Sequence, residues 1–177
     1  MGNKNLNTPV ISFVAARSGS GKTTLLEKVI RIIKARGYKL AVIKHDAHQF
    51  EIDHPGKDTW KMAQAGADIV AISSPEKVAV IEKVAQEKNL DEIIAALPKA
   101  DIILTEGYKT GNKPKIEVSR GAVSRELLSE PDELLAIASD MAWDIGVPCY
   151  PLDDAEGLAG VVIEYARSFR YVGGRNQ

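Results

Sequence analysis

The sequence predicts an α/β fold in which a mostly parallel sheet is covered by helices on both faces. Apolar runs alternate along the chain with segments of helical pattern, as in sheets built from strand–helix–strand units. The first apolar run, residues 10–15, leads through a loop of small residues into a helical pattern over 22–36. With 177 residues the chain is long enough to bury the core of one such domain.

The boundaries of the predicted elements follow from local signals. Helix 22–36 ends before Gly37, because glycine readily adopts the left-handed conformation that closes a helix. Asn89 is a suitable N-cap for the helix that follows it, and Pro98 marks the end of that helix. Strands are predicted at 10–15, 39–44, 68–73, 77–83, 101–107, 115–120 and 134–138, and helices at 22–36, 58–65, 90–97 and 153–169.

The two strands at 68–73 and 77–83 predict a hairpin. Ser74, Pro75 and Glu76 separate them, and such residues favour a tight turn. We expect the pair to form a small antiparallel extension at an edge of the sheet, where two subunits can meet. The whole chain, residues 1–177, is interpreted as a single nucleotide-binding domain. In it, residues 48–85 are either an insertion or a dimerisation segment, and residues 1–8 and 171–177 are expected to be flexible.

Residues 16–24, Ala-Arg-Ser-Gly-Ser-Gly-Lys-Thr-Thr, predict a phosphate-binding P-loop, and hence a P-loop NTPase-like fold. Ser18, Gly19, Ser20 and Gly21 let the backbone curl so that successive N–H groups converge on one anion, next to a helix N-terminus. Lys22 supplies a positive charge for the β- and γ-phosphates, and the Thr23 hydroxyl is a ligand for Mg²⁺. No water-positioning glutamine or arginine finger can be assigned; Arg17 can fill part of that role across a dimer.

Residue 16 departs from the P-loop pattern. The pattern G-x-x-x-x-G-K-[ST] has glycine where this chain has Ala16. If the backbone needs a positive φ there, alanine costs about 1–2 kcal/mol; if φ is negative, it costs little.

Two carboxylates at the ends of predicted strands are candidates for the metal site. In open α/β sheets the ligand lies beyond the carboxyl ends of the strands. Glu106 closes its strand, in the position of the carboxylate that organises Mg²⁺ in P-loop proteins, and is predicted to act with Lys22 in catalysis. Asp46 follows strand 39–44 and is the second candidate. Asp101 opens its strand and is therefore excluded.

Asp140 is the candidate for base recognition. It ends the run 134–138, and a carboxylate there can accept hydrogen bonds from guanine N1–H and N2–H₂. The usual Asn-Lys part of the guanine-recognition motif is absent, so guanine recognition and a helix-capping role both stay open.

Several other polar residues lie in or beside loops that can face the site. Three histidines, His45, His48 and His54, suggest zinc, but the chain lacks a cysteine pair and an H-E-x-x-H helix, so surface or substrate-contacting roles are favoured. The basic residues that can attract a second anionic substrate are Lys57, Lys61, Lys109, Lys113, Lys115 and Arg120.

Composition excludes some classes of function. A net charge of −1 gives no basic field for nucleic acid, and no run approaches the ~20 apolar residues of a membrane span. The first residues lack the apolar core of a signal peptide, and the single cysteine, Cys149, lies in an apolar context that favours a buried thiol. We therefore expect a cytoplasmic protein that binds neither nucleic acid nor membrane.

The chain resembles the MobB family, the molybdopterin-guanine dinucleotide biosynthesis adaptor proteins. The resemblance rests on six stretches spread over about residues 10–165. They are Ser-Gly-Ser-Gly-Lys-Thr-Thr from Ser18, Val-Ile-Lys-His-Asp-Ala-His from Val42, Asp-His-Pro-Gly-Lys-Asp-Thr-Trp from Asp53, Gln-Ala-Gly-Ala from Gln64, Leu-Thr-Glu-Gly from Leu104 and Ile-Glu-Val from Ile116.

This resemblance implies a homodimeric GTP-binding protein, at most a slow Mg²⁺-dependent GTPase. Its partner would be a MobA-type guanylyltransferase, which joins GMP to molybdopterin. By position, residues Ser18 to Thr24 would hold the phosphates, and Thr23, Asp46 and Glu106 would lie near Mg²⁺. The expected nucleotide-binding residues are Arg17, Ser18, Gly19, Ser20, Gly21, Lys22, Thr23, Thr24 and Asp140. The expected contacts to the molybdopterin cofactor or partner are His45, His48, Asp53, Lys57, Trp60 and Arg120.

Two alternatives share the P-loop. A small-molecule kinase would need an acceptor site and a lid, for which the loops at 48–60 and 108–114 are candidates, but no arginine-rich lid is seen. A non-catalytic scaffold would use the nucleotide only to support assembly.

Overall fold

The computed structural model describes residue 5, residues 7–46 and residues 50–173. The strands are β1 (Val10–Val14), β2 (Leu40–Lys44), β3 (Ile69–Ser73), β4 (Val78–Glu82), β5 (Ile102–Glu106), β6 (Lys115–Ser119), β7 (Leu134–Ser139) and β8 (Cys149–Tyr150). The helices are α1 (Lys22–Ala35), α2 (Asp58–Gln64), α3 (Leu90–Ala96) and α4 (Ala155–Gly173). None of the helices in the described part is long and apolar enough to cross a lipid bilayer.

Six strands form one sheet in the order β2-β5-β1-β6-β7-β8, and all neighbouring strands are parallel. The predicted α/β class with a mostly parallel sheet is confirmed, and the seven predicted strands lie within about two residues of their expected bounds. Sequence reasoning missed β8, which has two residues, too few for a pattern to emerge. Because the strands are parallel, their carboxyl ends share one edge of the sheet.

Alternation along the strands sorts the side chains between the two faces of this sheet. One face carries Ile11, Phe13, Ile102 and Leu104, which are buried against α1 and α4. In α1 the buried positions are Leu25, Leu26, Val29 and Ile33, the spacing of one apolar helix face. Glu106 is two residues beyond Leu104, so its side chain is on the α1 side of the sheet.

Two compact units divide the chain. Asp46–Glu92 form the smaller one, which contains the predicted excursion 48–85, and the remainder of the chain, with the six-stranded sheet, forms the other. In the smaller unit β3 and β4 pair antiparallel, so the predicted small antiparallel hairpin is confirmed. It does not extend an edge of the six-stranded sheet as expected, because the two strands pair only with each other and form a sheet of their own. The first turn of α3 has reciprocal hydrogen bonds between Asn89 and Glu92, which confirms Asn89 as the N-cap.

Two expectations about exposure differ from the structure. Cys149 is exposed, because β8 is an edge strand, so the prediction of a buried thiol is wrong. Asn5 and Thr8, in the segment expected to be flexible, are only 2% and 4% exposed. The Asn5 side chain donates to the carbonyl oxygen of Ile94 and accepts from the backbone N–H of Ala100. A side chain with such distant partners cannot be recognised from its neighbours in sequence.

We predict that Asn5→Ala destabilises the chain by about 2–3 kcal/mol, because the buried N–H of Ala100 and the carbonyl of Ile94 lose their partner. Urea unfolding followed by circular dichroism measures the change. Asn112→Ala is the matched control, since Asn112 is exposed. Equal stability of the two variants would show that the Asn5 side chain contributes nothing to folding.

Candidate functional site: the loop between β1 and α1 at the carboxyl edge of the sheet

Residues 16–21 lie between β1 and α1, and two of them are glycines with a positive φ. Gly19 has φ 80° and Gly21 has φ 88°, both in the left-handed region that side chains disfavour. Gly21 is the N-cap of α1, and its carbonyl accepts the first helical hydrogen bond, from Leu25 N–H. The N–H groups at this helix start have no side-chain cap, so they are available to an anion.

Ala16 fits this loop without strain. Tyr108 is the one non-glycine residue with a positive φ in the described part of the chain, so residue 16 does not need glycine for its backbone conformation. Alanine in place of the glycine of the P-loop pattern therefore costs little, as expected for a residue that does not need a positive φ.

Lys22, Thr23 and Glu106 form a compact cluster beside the loop. Lys22 Nζ and Thr23 Oγ1 each donate a hydrogen bond of 2.8 Å to the same carboxylate oxygen, Oε1 of Glu106. The cluster forms because Glu106 ends β5, the strand next to β1, while Lys22 and Thr23 open the helix that follows β1. The sequence-based grouping of these three residues is therefore present in the structure.

The environment of Glu106 keeps its carboxyl group ionised at neutral pH. Burial by itself raises the pKa of this carboxyl. Hydrogen bonds from Lys22 and Thr23 and the positive charges of Lys22 and Lys44 outweigh burial, so the pKa lies below its usual value. The site therefore presents a negative oxygen and an ammonium group side by side.

Thr23 and Glu106 fit the preferences of Mg²⁺. This ion takes hard oxygen ligands at about 2.0–2.1 Å, commonly one or two from protein together with phosphate oxygens and water. The hydroxyl and the carboxylate place two such oxygens 2.8 Å apart at the start of α1. These are the residues that would hold the ion, and it would neutralise charge on bound phosphates.

Gly107 allows β5 to leave the sheet next to the loop. It has φ 97°, and a Cβ there would lie 3.2 Å from the Cβ of His45. Its N–H donates to the carbonyl of Phe13 in β1, and the N–H of His45 donates to the carbonyl of Glu106. The ring of His45 lies 4.7 Å from that of Tyr108. A larger residue at 107 would displace this junction and the carboxylate before it.

Two further predicted residues lie at the same edge on the other side of β1. Arg120 directly follows β6, and its Nε donates to the carbonyl of Ser20 in the loop. Asp140 directly follows β7 and is exposed, and its Oδ1 accepts a 2.7 Å hydrogen bond from Gly121 N–H. Along this edge the order is therefore Glu106, the loop 16–21, Arg120 and Asp140.

Other predicted site residues are not placed in this cluster. Asp46, Asp53, Lys57 and Trp60 belong to the second compact unit, where Asp53 Oδ1 accepts from the hydroxyl of Thr59. Contact of Asp53, Lys57 and Trp60 with cofactor or partner stays a prediction, and so does the metal-binding role of Asp46. His48 lies outside the described residues. Within the described ranges no group of three or more His, Cys, Asp or Glu residues could hold a metal ion.

Lys115 was expected near a loop facing the site, and this is wrong. It is 1% exposed and its Nζ pairs with Glu133, because it opens β6 and therefore lies at the amino end of the strand, away from the carboxyl edge of the sheet.

Sequence reasoning missed the role of Glu117. This buried carboxylate accepts from Leu128 N–H and Ser129 N–H, and it thereby fixes the loop after Arg120. A charged residue between Ile116 and Val118 inside an apolar strand is the signal that could have revealed it.

Comparisons with known proteins agree on one family. The family model described as "Molybdopterin guanine dinucleotide synthesis protein B", MobB, matches residues 10–140. The chain is 38% identical over 163 residues to the molybdopterin-guanine dinucleotide biosynthesis adapter protein of Escherichia coli, covering 89% of this chain and 93% of that protein. It is 34% identical to the adapter protein of Haemophilus influenzae, covering 75% of each.

Solved structures support the same fold. A crystal structure of molybdopterin-guanine biosynthesis protein B is similar with a TM-score of 0.68 and 30% identity, covering 88% of this chain and 98% of that one. Bacillus subtilis MobB matches with a TM-score of 0.69 at 24% identity, covering 89% of this chain and 97% of that one, and this likeness concerns the fold alone. The resemblance inferred from the sequence motifs is confirmed: the chain belongs to the MobB family of molybdopterin guanine dinucleotide synthesis proteins.

Proposed function

We propose that this chain is a GTP-binding adaptor with weak, Mg²⁺-dependent GTPase activity that assists the attachment of GMP to molybdopterin. The observation that carries the proposal is the cluster of Lys22, Thr23 and Glu106 at the N-terminus of α1. It combines an ammonium group for phosphate, two oxygens for Mg²⁺ and the free N–H groups of a helix start. Membership of the MobB family supplies the pathway, molybdopterin guanine dinucleotide biosynthesis.

Guanine recognition is supported by the position of Asp140. It lies at the carboxyl end of β7, two strands from β1, beyond Arg120 on the same edge. One carboxylate oxygen is engaged by Gly121 N–H, which orients the group, and Asp140 as a whole remains exposed. A carboxylate held in this way can accept from guanine N1–H and N2–H₂, two donors that adenine lacks in this arrangement.

The partners we propose are a MobA-type guanylyltransferase and molybdopterin, with a second copy of this chain. Support for the homodimer comes from β3 and β4. Ile69, Val78 and Val80 are 61%, 68% and 61% exposed, and the cross-strand register places them on one face of the two-stranded sheet. Contiguous apolar surface of this kind is a typical interface, and two strands alone make a marginally stable sheet.

We predict that Lys22→Ala weakens Mg·GTP binding at least 100-fold, because the phosphates lose a charge-assisted hydrogen bond and the charge of Glu106 is no longer balanced. Isothermal titration calorimetry with GTP and with ATP measures it. Lys28→Ala is the matched control on the exposed side of α1. Unchanged affinity in Lys22→Ala would contradict the role of the P-loop.

The same variants distinguish an adaptor from a kinase or a scaffold in a reaction reconstituted from GTP, molybdopterin and the guanylyltransferase. We expect the wild-type chain to raise the yield of the dinucleotide and the Lys22→Ala variant to leave that yield unchanged. Transfer of labelled γ-phosphate to a small acceptor would point to a kinase instead. Assembly that needs nucleotide, with turnover indifferent to partner and cofactor, would point to a scaffold.

We predict that Asp140→Asn lowers the preference for GTP over ATP about tenfold. The asparagine Oδ1 can still accept from Gly121 N–H, so the loop keeps its conformation. The asparagine NH₂, however, is a donor and would face the N–H donors of guanine in place of a carboxylate acceptor. Competition binding with the two nucleotides gives the ratio, and Asp144→Asn, also exposed, is the control. A ratio equal to that of the wild type would rule out base recognition by Asp140.

We predict that Val80→Glu converts a wild-type dimer into a monomer, because a carboxylate placed on the apolar face of β3 and β4 would be buried unpaired. Light scattering coupled to size exclusion, at micromolar concentration, reports the mass. Leu128→Glu, an equal change at an exposed apolar residue of the other unit, should leave the mass unchanged. A monomeric wild type, or a dimeric Val80→Glu, would contradict this interface.

A further inference from the structure

The guanidinium of Arg120 lies directly against the P-loop. Its Nε donates to the carbonyl of Ser20 at 3.3 Å, and its Nη2 lies 3.1 Å from the position of a Cβ built on Gly21. A side chain at residue 21 would therefore need the guanidinium to move, in addition to the strain at φ 88°. Arg120 thus contacts the same segment of backbone that is expected to enclose phosphates.

The backbone of Arg120 is fixed from two directions. Gly121 N–H is held by Asp140 Oδ1, so the residue after Arg120 is tied to the end of β7. Glu117 in β6 is fully buried, and its carboxylate accepts hydrogen bonds from the N–H groups of Leu128 and Ser129, at the far end of the loop that begins after Arg120. A buried carboxylate satisfied by two backbone donors makes this loop a stable support for one arginine.

The side chain of Arg120, in contrast, has N–H donors that are not used in hydrogen bonds. A guanidinium has five N–H donors, and the contact of Nε with Ser20 uses one of them. Among the described residues, no acceptor is bonded to Nη1 or Nη2. The bond that is formed is long and goes to a neutral carbonyl, whereas a phosphate oxygen would accept from the guanidinium about twice as strongly.

The strand order indicates which phosphate this would be. Glu106 and its Mg²⁺ ligand set lie on the β5 side of the loop, where the terminal phosphates meet the ion. Asp140, proposed to read the base, lies on the opposite side, at β7. Arg120 follows β6, the strand between β1 and β7. If a nucleotide extends from the P-loop to Asp140, the phosphate that joins the ribose is therefore the group that lies beside Arg120.

We infer that Arg120 is a nucleotide-binding residue that contacts the phosphate next to the ribose. The inference rests on the proposed binding of GTP at the P-loop. On binding, the guanidinium turns from the carbonyl of Ser20 to a phosphate oxygen, with no change in covalent bonding. Lys22 holds the terminal phosphates and Arg120 holds the inner one, so the two residues divide the negative charge between them.

The test compares Arg120→Gln with wild type for GTP and for GDP by calorimetry, because both nucleotides carry the inner phosphates. We expect about a tenfold loss of affinity for each, and a smaller dependence of affinity on salt, since one protein charge is lost. Arg125→Gln, an exposed arginine in the same loop, should match wild type. Arg120→Lys should recover part of the affinity, because lysine keeps the positive charge but lacks the planar guanidinium that binds a phosphate through two N–H groups.

A purely structural role for Arg120 would give a different pattern. It would lower the melting temperature of the nucleotide-free protein, whereas we expect Arg120→Gln to melt within about 2 °C of wild type. Affinity equal to wild type for both nucleotides, or a loss confined to GTP, would overturn the assignment. If wild type itself bound no GTP, the proposed function would fail first; binding by wild type together with an unaffected Arg120→Gln would refute the inference alone.

Discussion

The pairing of β1 with β5 places the functional groups of this chain. In the parallel register Phe13 lies opposite Glu106, so the carboxylate that ends β5 reaches the helix start that follows β1. Its contact with Lys22 and Thr23 depends on this register, because a shift by one residue would turn Glu106 to the other face of the sheet. The apolar residues of β1 and β5 pack against α1 and α4 and fix the register.

The arrangement of the edge follows from the order of strands. Because β5 and β6 flank β1, the loop has the Glu106 carboxylate on one side and the Arg120 guanidinium on the other. Three cations near the loop bond to protein oxygens: Lys22 to Glu106, Arg120 to the carbonyl of Ser20, and Lys109 to the carbonyl of Ala16. An anion with several oxygens can replace these acceptors while the backbone stays in place, which is the form of preorganisation that phosphate sites use.

Sequence reasoning succeeded where the signal is local. Alternating apolar runs predicted the strands, and the Gly-Lys-Thr at a strand-to-helix junction predicted that Lys22 and Thr23 lie together at the start of α1. The position of Glu106 at the carboxyl end of its strand predicted that this carboxylate lies beside them. Sequence reasoning failed where the cause is a distant contact. The burial of Asn5 depends on carbonyl and N–H groups more than 85 residues away, and Lys115 is buried because Glu133 of the next connection pairs with it. Cys149 lies in an apolar stretch of sequence but is exposed, because β8 is an edge strand. The position of a strand at the edge is known only once the order of the strands is known.

A crystal structure of the chain with Mg²⁺ and a non-hydrolysable GTP analogue would show whether the loop before α1 binds the nucleotide. We expect a triphosphate enclosed by the backbone N–H groups of residues 18–23, with Lys22 Nζ on a terminal phosphate oxygen and Thr23 and Glu106 at the ion. The guanine would face Asp140. A nucleotide bound elsewhere, or a triphosphate in the loop with Lys22 still paired only to Glu106, would contradict this expectation.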